Sequence, residues 1–159
     1  MGVGPSTKET SKHHFKDPLL DVVCESEDID LCGIIIYGTS DNNLQKKRCS
    51  KKAAETAIAM RVDGVIATLD GWGNYDIDYE NCINHLGKAK IPVVGLSFIG
   101  TAGKFVVDNK YMDTIVDINK SSTGVETEIL GENNKDILDS KKALALLKLK
   151  MQKEDKSDF

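Results

Sequence analysis

Hydrophobic and polar positions along the middle of this 159-residue chain separate short apolar runs from longer amphipathic stretches. Three runs have the length and β-branched content of strands: "DGVIATLDG", which a glycine closes, "IPVVGLSF" and "TIVDI". The run "LCGIIIYG" at residues 31–38 is continuously apolar, which predicts a strand buried on both faces. Of two weaker runs, "PLLDVVC" predicts an edge strand or a packed arm, and "VETEIL" alternates as an edge strand does.

Three longer stretches repeat their apolar residues with the period of an amphipathic helix. The pattern predicts helices over about 44–60, 77–88 and 135–153. The residues expected on their buried faces are Ala53, Ala54, Ala57 and Ile58 in the first, Tyr79, Cys82, Ile83 and Leu86 in the second, and Ile137, Leu144, Leu147 and Met151 in the third. The lysines expected mostly on the solvent side of the first helix are Lys46, Lys47, Lys51 and Lys52.

The order strand, helix, strand, helix, strand is typical of right-handed βαβ units in a parallel sheet. We therefore expect a single three-layer α/β domain with a mainly parallel sheet, Rossmann-like or flavodoxin-like in broad type. The domain is expected to span residues 18–153. Residues 1–17 are polar and predict a flexible N-terminal arm, and residues 154–159 predict a frayed tail.

In an open parallel sheet, ligands bind beyond the carboxyl ends of the strands, where the strand order reverses. Three loops rich in Gly, Ser, Thr, Asn or Asp follow predicted strands, at 38–43, 70–75 and 99–103. Their small and polar residues let the backbone approach a ligand closely. The residues predicted to bind are Gly38, Thr39, Ser40, Asp70, Trp72, Gly73, Asn74, Gly100 and Thr101.

The loop "DGWGN" holds the single tryptophan, Trp72, between two glycines. Two interpretations are open: Trp72 folds back as a lid on the core, or it forms one wall of a ligand or partner site. Asn74 or Asp76 is expected to cap the next helix. The acidic run that includes Asp78 is expected to offset the dipole at that helix's N-terminus.

Composition and motifs exclude several classes of function. The net charge of -4 and the mixing of 21 basic with 25 acidic residues argue against nucleic-acid binding. The sequence has no apolar run long enough to span a membrane and no signal-peptide core, so we expect a cytoplasmic protein with reduced thiols. A dinucleotide fingerprint, a phosphate loop and a metal-ligand spacing are all missing, which predicts no cofactor and no metal in this chain.

The four cysteines are widely spaced and form no C-x-x-C pair. Cys82 lies on a predicted apolar face and is expected to be a buried small hydrophobe. Cys49 lies among lysines, and Cys24 ends an apolar run. Cys32 comes at the start of the first predicted core strand, and it is the one cysteine for which we expect a chemical role to be worth testing.

Residues 48–133 resemble a known family. The stretches that carry the resemblance are "DGVIATLDGWGNYDIDYENC", "IPVVGLSFIG" and "KFVVDNKYMDTIVDINKSSTGVETEILGEN". They look like the substrate-activating subunits of the clostridial amino-acid reductases, which include the D-proline reductase proprotein and component B of the glycine, sarcosine and betaine reductases. The match looks closest to the D-proline reductase branch.

The resemblance implies an oxidoreductase of proline fermentation, the Stickland reaction, in which D-proline is opened reductively to 5-aminovalerate by a dithiol-dependent complex. A family proprotein cleaves itself before a cysteine that becomes a pyruvoyl group, and a selenocysteine on a partner subunit attacks the activated carbon. This chain has no selenocysteine, and Leu31 precedes Cys32 where family cleavage sites carry Asn or Thr. The resemblance therefore implies a short subunit or accessory paralogue, not catalytic alone.

The partners that the resemblance implies are the pyruvoyl and selenoprotein subunits of D-proline reductase. A homo-oligomer of this chain is also compatible with the resemblance. The alternative is a non-catalytic small-molecule binding or partner-interaction module of the same fold.

Overall fold

The computed structural model describes residues 17–38, 40–69, 73–98, 105–125, 129, 132 and 135–155. Its helices are α1 (Pro18–Cys24), α2 (Asn43–Ala59), α3 (Asp76–Lys88) and α4 (Ile137–Asp155). Its strands are β1 (Val65–Thr68), β2 (Val93–Ser97) and β3 (Ile115–Asp117), and a short 3-10 turn covers Gly73–Tyr75. The helices predicted over about 44–60, 77–88 and 135–153 are confirmed as α2, α3 and α4. Of the predicted strands, "DGVIATLDG", "IPVVGLSF" and "TIVDI" are confirmed as β1, β2 and β3.

The three strands form one parallel sheet in the order β1-β2-β3. Val65 pairs with Val93, and Gly95 pairs with Ile115. The central strand β2 is buried along its whole length, which explains its continuous apolar sequence. The strand order does not reverse among the described strands, so no reversal point marks a ligand site. The carboxyl ends of the strands alone define the edge where a ligand site is expected.

Helices cover both faces of the sheet, which confirms a single α/β domain of three layers. Successive residues of β2 point to opposite faces, as the pleat of a strand requires. Val93 packs with α2 and α3, in a core that includes Ala54, Ile83 and Leu86. On the other face, the strand residues Val94, Leu96 and Val116 pack with Ala143 and Leu147 of α4. The first helix, α1, rests against α4 through Val22, Val23 and Leu144.

The run "PLLDVVC" is a helix, so the expectation of an edge strand is wrong. Asp17 caps it by accepting a hydrogen bond from the Leu19 N–H at 3.0 Å, and Pro18 occupies the first helical position, where a missing N–H has no consequence. The Lys135 ammonium contacts the Asp17 carboxylate at 2.6 Å. This ion pair fixes the start of α1 near the start of α4.

The run "LCGIIIYG" is not a strand in the structure, and the prediction of burial on both faces is wrong. Ile36 is 88% exposed, and Leu31, Ile34 and Ile35 are also exposed. The segment nevertheless lies against α2 and α3. A Cβ on Gly33 would lie 3.0 Å from Met60 Cε at the end of α2, and the Tyr37 hydroxyl donates to the Asp78 carbonyl at 3.4 Å. No ladder joins the segment to β1 among the described residues.

Two helix faces differ from the prediction in detail. Lys46, expected on the solvent side of α2, is fully buried, whereas Ile58, expected on its buried face, is exposed. Ile137 is also exposed, because it lies in the first turn of α4, before that helix reaches the sheet. Most of the run "VETEIL" and residues 1–16 lie outside the described residues. None of the described helices is long and apolar enough to cross a membrane.

Candidate functional site

The carboxyl edge of the sheet is formed by the ends of β1, β2 and β3 and by the N-terminal turns of α2 and α3. Of the residues predicted to bind there, Gly38, Ser40, Gly73 and Asn74 are described. The predicted residues Thr39, Asp70, Trp72, Gly100 and Thr101 lie outside the described residues. The two interpretations of Trp72 therefore both stay predictions.

Ser40 forms hydrogen bonds that stabilise the start of α2. Its hydroxyl donates to Gln45 Oε1 at 2.9 Å and accepts from the Asn42 N–H at 3.1 Å. Asn42 then caps the helix, because its side-chain oxygen accepts from the Leu44 and Gln45 N–H groups. Gly38 lies just before this turn, is exposed, and has no atom within 4 Å of the position that a Cβ would take.

Gly73 and Asn74 belong to the 3-10 turn that leads into α3. Gly73 has φ of 70°, in the left-handed region that favours glycine. Asn74 is exposed, and Tyr75 occupies the cap position of α3 without a capping side chain. The expectation that Asn74 or Asp76 caps α3 is therefore wrong: Asp76 is the first helical residue, and its carboxylate binds elsewhere.

A buried ion pair links the N-terminal turns of α2 and α3. Lys46 Nζ donates to Asp78 Oδ2 at 2.9 Å, and both side chains are 1% exposed. The ammonium also lies 5.3 Å from the ring centre of Tyr75. Burial raises the pKa of the Asp78 carboxyl, and the hydrogen bond and charge of Lys46 offset part of that rise.

The sequence analysis missed this pair, although a signal for it was present. Lys46 and Ser50 continue the buried alanine stripe of α2 at helical spacing, and both are buried. The Ser50 hydroxyl donates to the Lys46 carbonyl, and it accepts from Asn81 of α3 at 2.8 Å. A lysine in register with such a stripe needs a buried acidic partner, and Asp78 is the acidic residue that α3 supplies.

Asp76 lies two residues before Asp78 and is also buried. Its Oδ2 accepts from the Val106 N–H at 2.9 Å, which ties residues 105–106 to the start of α3. Burial raises the pKa of this carboxyl, and the N–H groups of Val106 and Gly73 offset part of the rise. Asp76 was expected to cap α3 or to offset its dipole, and the structure instead buries its carboxylate at the sheet edge.

Several buried polar atoms near this edge have no hydrogen-bond partner among the described residues. They are Asp76 Oδ1, Asp78 Oδ1, Ser97 Oγ and Asn119 Nδ2. Ser97 is the last residue of β2, and Asn119 follows the end of β3. A buried polar group without a partner is unfavourable by about 1–3 kcal/mol, so native proteins keep few of them. The set offers two carboxylate acceptors, a hydroxyl and an amide donor to a polar ligand.

The cysteines are separated from these groups or buried. Cys32 is exposed, and its Sγ lies 3.8 Å from the Asp30 carbonyl. Because neighbouring Gly33 contacts Met60 at the end of α2, Cys32 lies toward the amino edge of the sheet, away from Asp76 and Ser97. Cys82 is buried as expected, and burial raises the pKa of its thiol to about 11. No group of metal-ligating side chains occurs within the described parts of the chain.

Comparison with known proteins gives one family. Residues 2–133 match the family described as glycine/sarcosine/betaine reductase component B subunits. The match extends well beyond the stretch 48–133 on which the resemblance was based.

Two relatives show the same similarity. The chain is 38% identical over 153 residues to the D-proline reductase proprotein PrdA of Acetoanaerobium sticklandii, covering 96% of this chain and 24% of that protein. It is 30% identical over 106 residues to the sarcosine reductase complex component B subunit alpha of Peptoclostridium acidaminophilum, covering 64% and 25%. The chain thus spans about a quarter of the length of these relatives. No solved structure is significantly similar to it.

Proposed function

Because the chain belongs to the family of glycine/sarcosine/betaine reductase component B subunits, we propose that it is a subunit or accessory paralogue of a D-proline reductase. In this role it takes part, within a multi-subunit complex, in the reductive ring opening of D-proline to 5-aminovalerate. One observation carries the proposal: 96% of the chain aligns with a D-proline reductase proprotein at 38% identity. The identity to the sarcosine reductase component, 30%, is lower and covers less of the chain.

An exposed apolar segment supports a role in a complex. Leu31, Ile34, Ile35 and Ile36 lie within six consecutive residues and are all exposed. Exposed apolar surface of this kind is uncommon on monomers and typical of contact surfaces. We assign this segment to contact with a reductase partner subunit, because the matched relatives are a proprotein and a component of reductase assemblies.

The pyruvoyl and selenocysteine groups are proposed to lie on the partner subunits. There the pyruvoyl carbonyl supplies an electrophile for the substrate amine and the selenocysteine supplies the nucleophile. Among the described residues, Cys32 does not fit a pyruvoyl precursor, because it is exposed and neighbouring Gly33 lies beside Met60 at the end of α2, at the amino edge of the sheet. No step of the reaction is assigned to Cys32.

The carboxyl edge is proposed to orient a polar group of substrate or partner. Asp76 and Asp78 each present one buried carboxylate oxygen without a partner among the described residues. These oxygens can accept hydrogen bonds from an amine. Burial raises the pKa of the Asp76 carboxyl, so it holds a proton to a higher pH than an exposed carboxyl does.

Reconstitution tests the proposal. The pyruvoyl and selenoprotein subunits from the same organism are assayed for 5-aminovalerate formation from D-proline with a dithiol, with and without this chain. We expect the chain to raise the rate or to stabilise the assembled complex. Equal rates and equal complex stability without it would overturn the proposal.

A matched pair of surface variants locates the contact. Ile36→Lys places a charge on the assigned segment, and Leu138→Lys places one on the similarly exposed surface of α4, where Leu138 is 73% exposed. We expect Ile36→Lys to weaken binding to the partner subunits at least about tenfold, as loss of an interface anchor does. Leu138→Lys is expected to leave binding unchanged. If both variants weaken partner binding equally, the segment that holds Ile36 is not the contact surface.

The second candidate function is a small-molecule binding module without a catalytic partner. The buried polar atoms without partners at the carboxyl edge favour it. A titration with D-proline, L-proline or 5-aminovalerate distinguishes this candidate function from the reductase subunit. Binding is followed by Trp72 fluorescence and by the NMR signals of Ser97 and Asn119. Millimolar binding by the isolated chain favours the module, whereas binding only in the assembled complex favours the subunit.

A further inference from the structure

A cleft lies at the amino edge of the sheet, opposite the edge of the candidate site. Its volume is about 530 Å³, the size of a small-molecule site. The end of α3, the start of β2, the segment before β3 and one residue of α4 line it. Nothing in the proposed reductase role uses these residues.

Lysines dominate the lining. Four of them, Lys88, Lys90, Lys110 and Lys150, face a single acidic residue, Asp113. Lys150 is already engaged, since its Nζ donates to the Val93 carbonyl at 2.9 Å and to Asp113 Oδ1. Within the described chain, the other three lysines form no ion pair with an acidic side chain. The cleft therefore carries a local excess of about three positive charges, by the ordinary charge of lysine, in a chain whose net charge is -4.

The wall of the cleft is fixed in place. The Tyr111 ring lies directly on Gly87, where a Cβ would come within 2.2 Å of Tyr111 Cγ. Asn109 holds the segment, because its side chain donates to Glu80 Oε1 at 2.9 Å and accepts from the Tyr111 N–H at 2.8 Å. Lys110 Nζ lies 4.9 Å from the centre of the Tyr111 ring. A rigid wall lowers the entropy lost when a ligand binds.

Lys90 has a backbone conformation that is unfavourable for a residue with a side chain. Its φ is 60°, in the left-handed region, at the end of α3, where the Ile91 N–H returns to the Leu86 carbonyl. Glycine is the usual residue at such a helix end. Arg61 has the same conformation at the end of α2, with φ of 57°, but it does not line the cleft. The two residues form a matched pair for an experiment.

We propose that this cleft binds a multivalent oxyanion: a small molecule bearing phosphate or several carboxylates. Lysine ammonium groups are point charges suited to such groups, and three lysines that line the cleft, Lys88, Lys90 and Lys110, form no ion pair with an acidic side chain in the described chain. The volume of about 530 Å³ exceeds that of an inorganic ion, so the cleft has room for a small organic molecule. The inference does not depend on the reductase role.

Calorimetric titration of the full chain at low, matched ionic strength tests the proposal. The probes are inorganic pyrophosphate and citrate, which distinguish a phosphate from a polycarboxylate source, with potassium chloride as the blank. We expect one of the two anions to bind at one site. Lys90→Gly should weaken that binding about fivefold, the effect of one nearby charge. It should not lower the Tm, because glycine relieves the backbone strain.

Arg61→Gly is the control, because it removes the same charge and relieves the same strain elsewhere. We expect it to change the affinity less than twofold, because Arg61 does not line the cleft and salt screens an exposed charge outside it. No binding of either anion, or equal weakening by both variants, would overturn the proposal. Much tighter binding of a polyglutamate peptide than of either anion would also overturn it, since the cleft would then be a protein contact.

Discussion

The buried pair of Lys46 and Asp78 is the contact where a single side chain matters most to stability. Asp78→Asn leaves an uncompensated ammonium at 1% exposure, so we expect the free energy of unfolding in urea to fall by about 3–5 kcal/mol. The double variant Lys46→Met with Asp78→Leu should recover most of that loss. The exposed pair of Lys51 and Glu55 is the control, and Glu55→Gln should change stability by less than about 0.5 kcal/mol. Equal effects at the two sites would contradict this account.

Asp76 should make stability depend on pH. Burial raises the pKa of the Asp76 carboxyl above the ordinary value of 3.8. Between that value and the raised pKa, this carboxyl is protonated in the folded state and ionised in the unfolded state. Stability is therefore lost as pH rises from about 3.8 through the raised folded pKa. Asp76→Asn keeps an acceptor for the Val106 N–H and removes the charge.

We expect Asp76→Asn to stabilise the protein at pH 7 and to change little below pH ~3.8, where the native carboxyl is neutral. Urea unfolding of both proteins across this range measures the difference. A variant that is less stable than the native protein at pH 7 would contradict the burial account of Asp76.

Residue-scale features were predictable where they depended on local spacing. The burial of Tyr79, Cys82, Ile83 and Leu86 follows from their shared helix face. The burial of Lys46 was missed because its partner, Asp78, is 32 residues away, and helical spacing alone assigns a lysine to solvent. A buried charge depends on contacts between elements, which a local pattern does not contain.

Among the elements, β2 and α3 are joined most tightly at Gly95. A Cβ there would lie 2.1 Å from the Tyr79 hydroxyl and 2.3 Å from Ile115 Cδ1. Gly95→Ala must displace both of them, so we expect a loss of about 1–3 kcal/mol in urea unfolding. Gly38→Ala is the control, since its Cβ would meet nothing within 4 Å, and it should stay within about 0.5 kcal/mol. Tolerance of Gly95→Ala would show that this packing is looser than described.

The segment 31–38 should exchange its amide hydrogens quickly. Among the described residues no ladder protects it, whereas Val94 and Leu96 lie in the central strand. We expect hydrogen exchange at Ile34, Ile35 and Ile36 to be faster by orders of magnitude than at β2. Protection at these amides equal to that of β2 in the isolated chain would show a fourth strand paired with β1.

Element-scale prediction succeeded for β1, β2, β3, α2, α3 and α4, because period and flanking turns agreed with the fold. It failed for α1, although Asp17 and Pro18 form a recognisable helix start. It also failed for "LCGIIIYG", since β-branched composition shows that a run can pair but not which edge it pairs with. Ladder formation is a non-local property of the chain.

At the scale of the whole molecule, the two edges of one parallel sheet carry different chemistry. The carboxyl edge holds buried carboxyl groups at Asp76 and Asp78, and the amino edge holds the lysine-lined cleft with Lys90 and Lys110. The exposed segment 31–38 reaches from Met60 at the end of α2, beside Gly33, to Asp78 near the start of α3, where Tyr37 donates a hydrogen bond.

The central claim is that this chain is a subunit of an amino-acid reductase complex, and the mass of its assembly tests that claim most directly. The chain is mixed with the purified pyruvoyl and selenoprotein subunits of D-proline reductase and analysed by size-exclusion chromatography with light scattering. The account predicts one peak that contains all three proteins and a mass above the sum of the partner subunits alone. Elution of this chain by itself at its own 17.4 kDa, with the partners unchanged, would contradict it.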